Sequence, residues 1–238
     1  RSVAERAPAL AGRLRWVSEL PESVEGVVVG NEVLDAMPVA LLHWDGEHWL
    51  ERGVTVTADT FTWADRPTEL RLPVDGPFVP GTVTELPRIA AGFLRTLAQR
   101  LRRGVAFFID YGFPEHEFYH PQRTGGTLMC HRGHQADADP LVAVGLKDLT
   151  AHVDFTAMAL AAQDAGLPVL GYTSQARFLF NCGLMDDLQV AELRERAMAM
   201  KLVTEHEMGE LFKVLALGAP GSDFEPIGFA VGDRSHTL

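Results

Sequence analysis

The sequence predicts an α/β fold, and three stretches carry that reading. Gly26-Val27-Val28-Val29-Gly30 is a short β-branched run between glycines, which reads as a buried strand. Val105-Ala106-Phe107-Phe108-Ile109 reads as a second. Between them, residues 84–103 repeat Ile89, Phe93, Leu97 and Leu101 at helical spacing, with Leu94 widening the apolar stripe. Strand, helix, strand implies a right-handed crossover with parallel pairing. Open parallel sheets bind ligands beyond the carboxyl ends of their strands. The polar residues that follow each apolar run are therefore the first place to look for a site.

The rest of the chain supplies the remaining elements. Residues 3–13 read as the end of a helix closed near Gly12, and residues 14–17 as a short strand. After Pro38 the apolar pattern alternates. Residues 39–44 and 47–52 flank Asp45-Gly46, the dipeptide of a two-residue type I′ turn. Residues 54–56 and 61–63 extend the hairpin into a β-meander, which makes residues 39–80 an insert ending in a Pro-rich loop, 67–80. Gly104 is placed to end the long helix. Residues 114–146 are rich in His, Gly and Pro and show little periodicity, which marks a functional or disordered loop.

Further on, Asp154 is placed to cap a helix that runs to Ala165 and is closed by Gly166. Residues 167–170 read as a strand. Ser174 precedes a helix to Cys182, and another runs from Asp186 or Asp187 to about Leu202. A second insert of loop and helices thus spans about 113–203. Thr204-Glu205-His206-Glu207 has the form of a capping box. Residues 211–217 and 227–231 read as a C-terminal antiparallel hairpin, which makes the sheet mostly parallel with an antiparallel end.

Composition narrows the functions available. With 238 residues, 47% hydrophobic and 22% charged, the chain has ordinary globular proportions for one large domain. A net charge of −11 argues against nucleic acid and anionic membrane as partners, and suits a cationic ligand or a basic protein surface. Two cysteines, Cys130 and Cys182, make no disulfide framework, so the cytoplasm is the default compartment. No apolar run approaches membrane-spanning length. A homodimer is left open.

Carboxylates gather at both strand ends: Glu32 with Asp35 after the first, and Asp110 with Tyr111 after the second. If the strands are neighbours, these groups line one crevice, where they can orient a guanidinium, hold a cation or accept a proton. Other chemistries fit less well. His120, His131 and His134 with nearby carboxylates suggest zinc, but their spacing matches no zinc signature, so no metal is assigned and a metal-dependent hydrolase stays a distant alternative. No nucleophile elbow, Walker loop or Gly-x-Gly-x-x-Gly is present. Trp44, Trp49 and Trp63 favour another alternative, a non-catalytic partner-binding module.

A set of segments in fixed order goes further. Residues 31–39 (Asn-Glu-Val-Leu-Asp-Ala-Met-Pro-Val), 108–112 (Phe-Ile-Asp-Tyr-Gly), Gly126-Thr127-Leu128, His131, residues 148–155 and residues 173–179 resemble the class I S-adenosylmethionine-dependent methyltransferases related to the mitochondrial complex I assembly factor that methylates an arginine. That resemblance implies a Rossmann-like methyltransferase sheet, with residues 14–17 its third strand, 27–30 its fourth and 105–109 its fifth. It implies S-adenosylmethionine as cofactor and a protein side chain, an arginine nitrogen, as acceptor. By position, Val17, Ser18, Glu19 and Leu20 would meet the adenine end of the cofactor, and Asn31 and Glu32 its methionine end. Glu32 and Asp35 would serve the transfer itself, with Asp110, Tyr111 and His131 on the substrate side. The glycine-rich loop after the first strand of such enzymes is not in these residues. The first strands are thus expected to be absent, and residues 1–238 to be the C-terminal part of one domain.

Overall fold

A computed structural model describes residues 3–133 and 135–238. Two helical turns, α1 (Val3–Arg6) and α2 (Pro8–Ala11), precede β1 (Val24–Asn31). A meander follows: β2 (Ala40–Trp44), β3 (Trp49–Thr57), β4 (Thr60–Pro67) and β5 (Val83–Leu86). Then come α3 (Arg88–Arg100), β6 (Leu101–Phe113) and α4 (Glu115–Phe118). Residues 119–154 hold the short strands β7 (Met129–Arg132), β8 (Gln135–Asp137), β9 (Asp148–Thr150) and β10 (Val153–Asp154). The chain continues with α5 (Phe155–Asp164), β11 (Val169–Ser174), α6 (Gln175–Asn181), α7 (Leu184–Val190), α8 (Leu193–Val203) and β12 (Phe212–Gly218).

The main sheet has the order β1-β6-β12-β11, and β10 adds to the end of β6. β1 runs parallel to β6, as the strand–helix–strand pattern requires, with Val27 beside Val105 and Asn31 beside Ile109. Among the described residues the one antiparallel strand of this sheet is β12, inserted between β6 and β11. Every residue of β12 is buried, which fits a central strand. On one face Leu94 and Leu97 of α3 and Phe155 and Met158 of α5 pack over Phe108, Tyr172, Leu215 and Leu217. On the other, Phe178 and Phe229 cover Val105, Phe107 and Val214. Gly104 lets β1 and β6 approach, because a Cβ there would lie 1.8 Å from the carbonyl oxygen of Gly26.

The meander forms its own sheet, β4-β3-β2-β5, and β8-β7-β9 form a small third one. The stretch 114–146, read as a functional or disordered loop, therefore holds short antiparallel strands too brief to leave a period. Among the described residues no helix is long and apolar enough to cross a membrane.

Several sequence expectations are corrected. Residues 14–17 form no strand here; they are an exposed run, Trp16 most of all, with no strand partner among the described residues. The run 27–29 is a strand, and within these residues it is half covered. It lies at the sheet margin, where Val28 faces the core while Val27 and Val29 stay 66% and 64% exposed. The predicted helix 84–103 loses both ends to strands. Leu86 pairs with Ala40 and Leu101 with Val24, and sheet bonds there outweigh helical propensity. Its buried face accordingly turns to Ala90, Leu94, Leu97 and Ala98, leaving Ile89 exposed. Gly104, expected to stop that helix, lies inside β6.

Turns also move. Trp44 pairs with Trp49, so Asp45-Gly46 opens a four-residue loop in which the Asp45 carboxylate accepts from the amides of Glu47 and His48, both at 2.7 Å. The two-residue turn of the meander is Ala58-Asp59, both at positive φ. Ile227–Phe229 is a single 3-10 turn rather than a closing strand, since β6 and β11 already occupy both edges of β12 and Phe229 is needed as a cover over Gly171. The strand expected at 167–170 begins two residues later and runs on to Ser174. The helix expected over 186–202 breaks between α7 and α8, and the true capping box is Glu192 with Glu195. At Thr204 the hydroxyl turns back to the Met200 carbonyl at 2.7 Å, so the following residues, Glu205–Gly209, form an irregular turn.

The rotated face of α3 predicts opposite results for two leucine-like positions. Leu94→Ala should cost about 2–5 kcal/mol and Ile89→Ala under about 1 kcal/mol. Urea unfolding of the two variants reads this directly, and similar losses would restore the original stripe.

Candidate functional site at the carboxyl ends of β1 and β6

β1 ends where its last parallel bond, from the Glu32 amide to the Ile109 carbonyl (2.9 Å), gives way to a turn. Glu32 makes that turn with φ 51, a left-handed conformation that a non-glycine residue adopts at some cost. The next amides then converge on one oxygen. Oδ2 of Asp110 accepts from the amides of Val33 at 3.1 Å, Leu34 at 2.9 Å and Asp35 at 3.4 Å. Its Oδ1 accepts from the Tyr111 amide at 3.1 Å. The strand ends are thus side by side, and Asp110 is fully buried as the pin between them.

Asp35 is 4% exposed. The Tyr111 hydroxyl donates to its Oδ2, and the Ala151 amide donates to its backbone carbonyl at 3.0 Å. Its Oδ1 has no hydrogen-bond partner among the described residues. The Tyr111 ring in turn meets the edge of His152 at 5.2 Å and Phe212 at 5.4 Å. Arg123 lies over the ring of Phe113, 4.4 Å from its centre, and Phe113 also contacts His152.

Burial and crowding set the protonation of this group. Asp110 is pushed up to about 7, first by burial and then by the negative charge of Asp35. Burial and the bond to Asp35 hold the Tyr111 phenol well above its usual range, so it stays a donor. Burial, helped by the nearby charges of Arg123 and Lys213, lowers His152 to about 4, which keeps the imidazole neutral. The set therefore holds a neutral His, a neutral phenol and two acids pressed together.

A second buried carboxylate supports the wall opposite. Glu85 on β5 is 1% exposed, and its Oε1 accepts from the amides of Thr127 at 2.6 Å and Leu128 at 2.9 Å. Gly126 is at φ +71, and a Cβ there would come within 2.4 Å of that oxygen. Thr127 passes the constraint on, since its Oγ1 accepts from the His152 amide at 3.0 Å. Beside Asp35 opens a cavity of about 540 Å³. Met37, Pro38 and Leu41 form one side, Val54, Phe61 and Trp63 of the meander another, and Leu128, Leu141, Val144 and Leu149 the third.

Each expected site residue can now be located. Asp35, Asp110 and Tyr111 come together. Asn31 and Glu32 are exposed at the end of β1, with the Asn31 amide 3.4 Å from Oε1 of Glu32. Val17, Ser18, Glu19 and Leu20 lie on the exposed run before β1. His131 is exposed on β7, level with Ala136 and Asp148, and shares no hydrogen bond or ring contact with Asp35 or Tyr111 among the described residues. His134 falls outside the described residues, and among those described no three His, Cys, Asp or Glu side chains gather as a metal would need. Trp44 and Trp49, read as exposed, pack on each other and on Phe78. Sequence reasoning gave no role to Glu85, Thr127 or His152. The only signal was that Thr127 and His152 sit in the segments that carry the family resemblance.

An open α/β sheet with one antiparallel strand set between parallel ones, and acids at the carboxyl ends, defines a methyltransferase-like fold. The chain belongs to the family described as "Putative S-adenosyl-L-methionine-dependent methyltransferase", which matches residues 1–173. An uncharacterized protein from Burkholderia thailandensis superposes with a TM-score of 0.94 at 50% identity, over 99% of this chain and 66% of that one. A second structure from that organism, at 0.93 and 50% identity over 99% and 64%, is bound to S-adenosyl-homocysteine. The mitochondrial protein arginine methyltransferase NDUFAF7 homolog of Caenorhabditis elegans is 24% identical over 221 residues, covering 85% of this chain and 50% of its own. Protein arginine methyltransferase NDUFAF7 of Mus musculus is 28% identical over 224 residues, covering 85% and 48%. The chain thus spans about half the length of these curated relatives and just under two thirds of the solved ones.

Two outcomes follow from the support network. Glu85→Ala strands two buried amides and should cost about 2–4 kcal/mol in urea unfolding, with Glu85→Gln costing less. His152 has a folded pKa below the 6.5 of an unfolded imidazole. The stability it contributes is therefore complete above pH 6.5 and is lost as pH falls toward 4. Between pH 7.5 and 4.5 the protein should lose on the order of 2 kcal/mol relative to His152→Phe. Identical pH dependence of the two would disprove this account of His152.

Proposed function

We propose that this chain carries the acceptor side of an S-adenosylmethionine-dependent methyltransferase whose acceptor is a protein side chain, an arginine nitrogen. The observation that supports it most is Asp35, a buried carboxylate with one unpartnered oxygen where two parallel strands end and an apolar cavity begins. A bare acceptor oxygen in such a place is costly to bury unless a donor arrives. An N–H of a guanidinium is such a donor.

The residues present fit the cofactor. The Asn31 amide and the Glu32 carboxylate project at the exposed carboxyl end of β1 and suit the ammonium of a methionine moiety. When bound, S-adenosylmethionine supplies an electrophilic methyl on a sulfonium. Val17 to Leu20 remain our assignment for the adenine end. Methyl transfer needs alignment and a free lone pair on the acceptor, and no metal. Asp35 holds the acceptor through its N–H and favours the tautomer whose nitrogen is free to react, and Glu32 adds negative charge beside it. Tyr111 fixes one oxygen of Asp35 and so leaves the other for the acceptor. Asp110 acts through the turn it pins, and His131 belongs to the rim. The family, and the likeness to the nematode and mouse protein arginine methyltransferases, favour this reading over a non-catalytic module.

In the intact protein, Asp35→Asn should lower methyl transfer at least about 100-fold while S-adenosylhomocysteine affinity by calorimetry stays within about twofold. Full activity in that variant removes Asp35 from the mechanism.

A further inference from the structure

The cavity beside Asp35 is larger and more apolar than a single guanidinium requires. Its 540 Å³ lies within the roughly 300–1,000 Å³ of small-ligand pockets. Among the described residues of its lining Asp35 is the only charged one, and the rest are aliphatic, aromatic or, at Thr150, a hydroxyl. Apolar surface does not stop at the mouth. Val54, Phe61 and Val144 line the cavity yet remain 53%, 46% and 54% exposed. An apolar surface that continues from a pocket onto the outside marks an interaction site. It also needs an occupant longer than the pocket itself.

We propose that this cavity docks a polypeptide segment that offers a cationic N–H group to Asp35 and seats a large apolar side chain against Val54, Phe61 and Trp63. The assignment rests on the methyltransferase reading for its acceptor, but docking is separable from transfer. Three observations select a polypeptide of this chemistry. The unpartnered Oδ1 of Asp35 sets the sign of the head group. The net charge of −11 favours a basic partner. β4, which carries Phe61 and Trp63, is the outer strand of the meander sheet, and its free edge can pair with an extended backbone. Apolar contact in the cavity then supplies affinity, and the single carboxylate supplies register.

The test is fluorescence-anisotropy binding of labelled hexapeptides to the purified protein without cofactor. Gly-Gly-Phe-Arg-Gly-Gly should bind at least tenfold tighter than Gly-Gly-Ser-Arg-Gly-Gly, and replacing its Arg by citrulline should cost at least tenfold. Val54→Glu and Val144→Glu, each checked for an unchanged melting temperature, should reduce the Phe peptide to the level of the Ser peptide. Equal binding of the Phe and Ser peptides, or retained preference in both folded variants, overturns the proposal. So does phenethylguanidine binding as tightly as the Phe peptide, which makes the cavity a small-molecule site. Failure of the intact protein, with the segment that precedes these residues, to bind S-adenosylhomocysteine in a parallel calorimetric titration sinks the methyltransferase reading instead, and leaves the peptide preference to be judged by its own measurements.

Discussion

One carboxylate holds the working end of this molecule together. Asp110 sits at the end of β6 and gathers the amides of Val33, Leu34 and Asp35 from the end of β1. Those amides have no strand partner once β1 stops, and buried N–H groups must be satisfied somewhere. A charged acceptor is the strongest single answer. Because the bond is made to the backbone, it fixes where Asp35 stands, and everything else in the site is measured from Asp35. The cost is a pair of acids in one apolar place, and it appears as the raised proton affinity of Asp110.

The sheet explains why that pin can form. β1 and β6 are parallel neighbours, so both strands release their chains at the same edge. Antiparallel β12 fills the gap between β6 and β11 and buries the middle of the sheet, and the polar groups of the site gather at its carboxyl edge. The meander then brings Val54, Phe61 and Trp63 around to face Asp35. Glu85 performs on the opposite wall the service that Asp110 performs below: a buried carboxylate holding loop amides, with Thr127 carrying the constraint to His152.

Much of this was legible in residues alone, and the failures share a cause. The strands around Val28 and Phe107, the helix around Leu94, the Asp154 cap and the acids at two strand ends all follow from local pattern. Asp154, for example, accepts from the Ala157 amide at 3.0 Å, as its position before the helix suggested. The errors fall where long-range pairing overrode local preference. Residues 84–86 continue a helical stripe yet pair with β2, and residues 227–231 look strand-like yet find both edges of β12 taken. Glu85 fell inside the helix expected over 84–103 and drew no attention, because nothing local says that Thr127 and Leu128 will need its oxygen.

By itself the sequence determined the class of fold, the order of its main strands and helices, and the acids to watch, since periodicity and strand-end chemistry are local properties. Tertiary structure alone decided which of those acids is pinned and which is left with a free oxygen. It also decided that an apolar cavity adjoins Asp35. Each of these depends on groups far apart in the chain meeting, as Asp110 meets Leu34 across a separation of 76, and no local pattern encodes which buried amide will find which carboxylate.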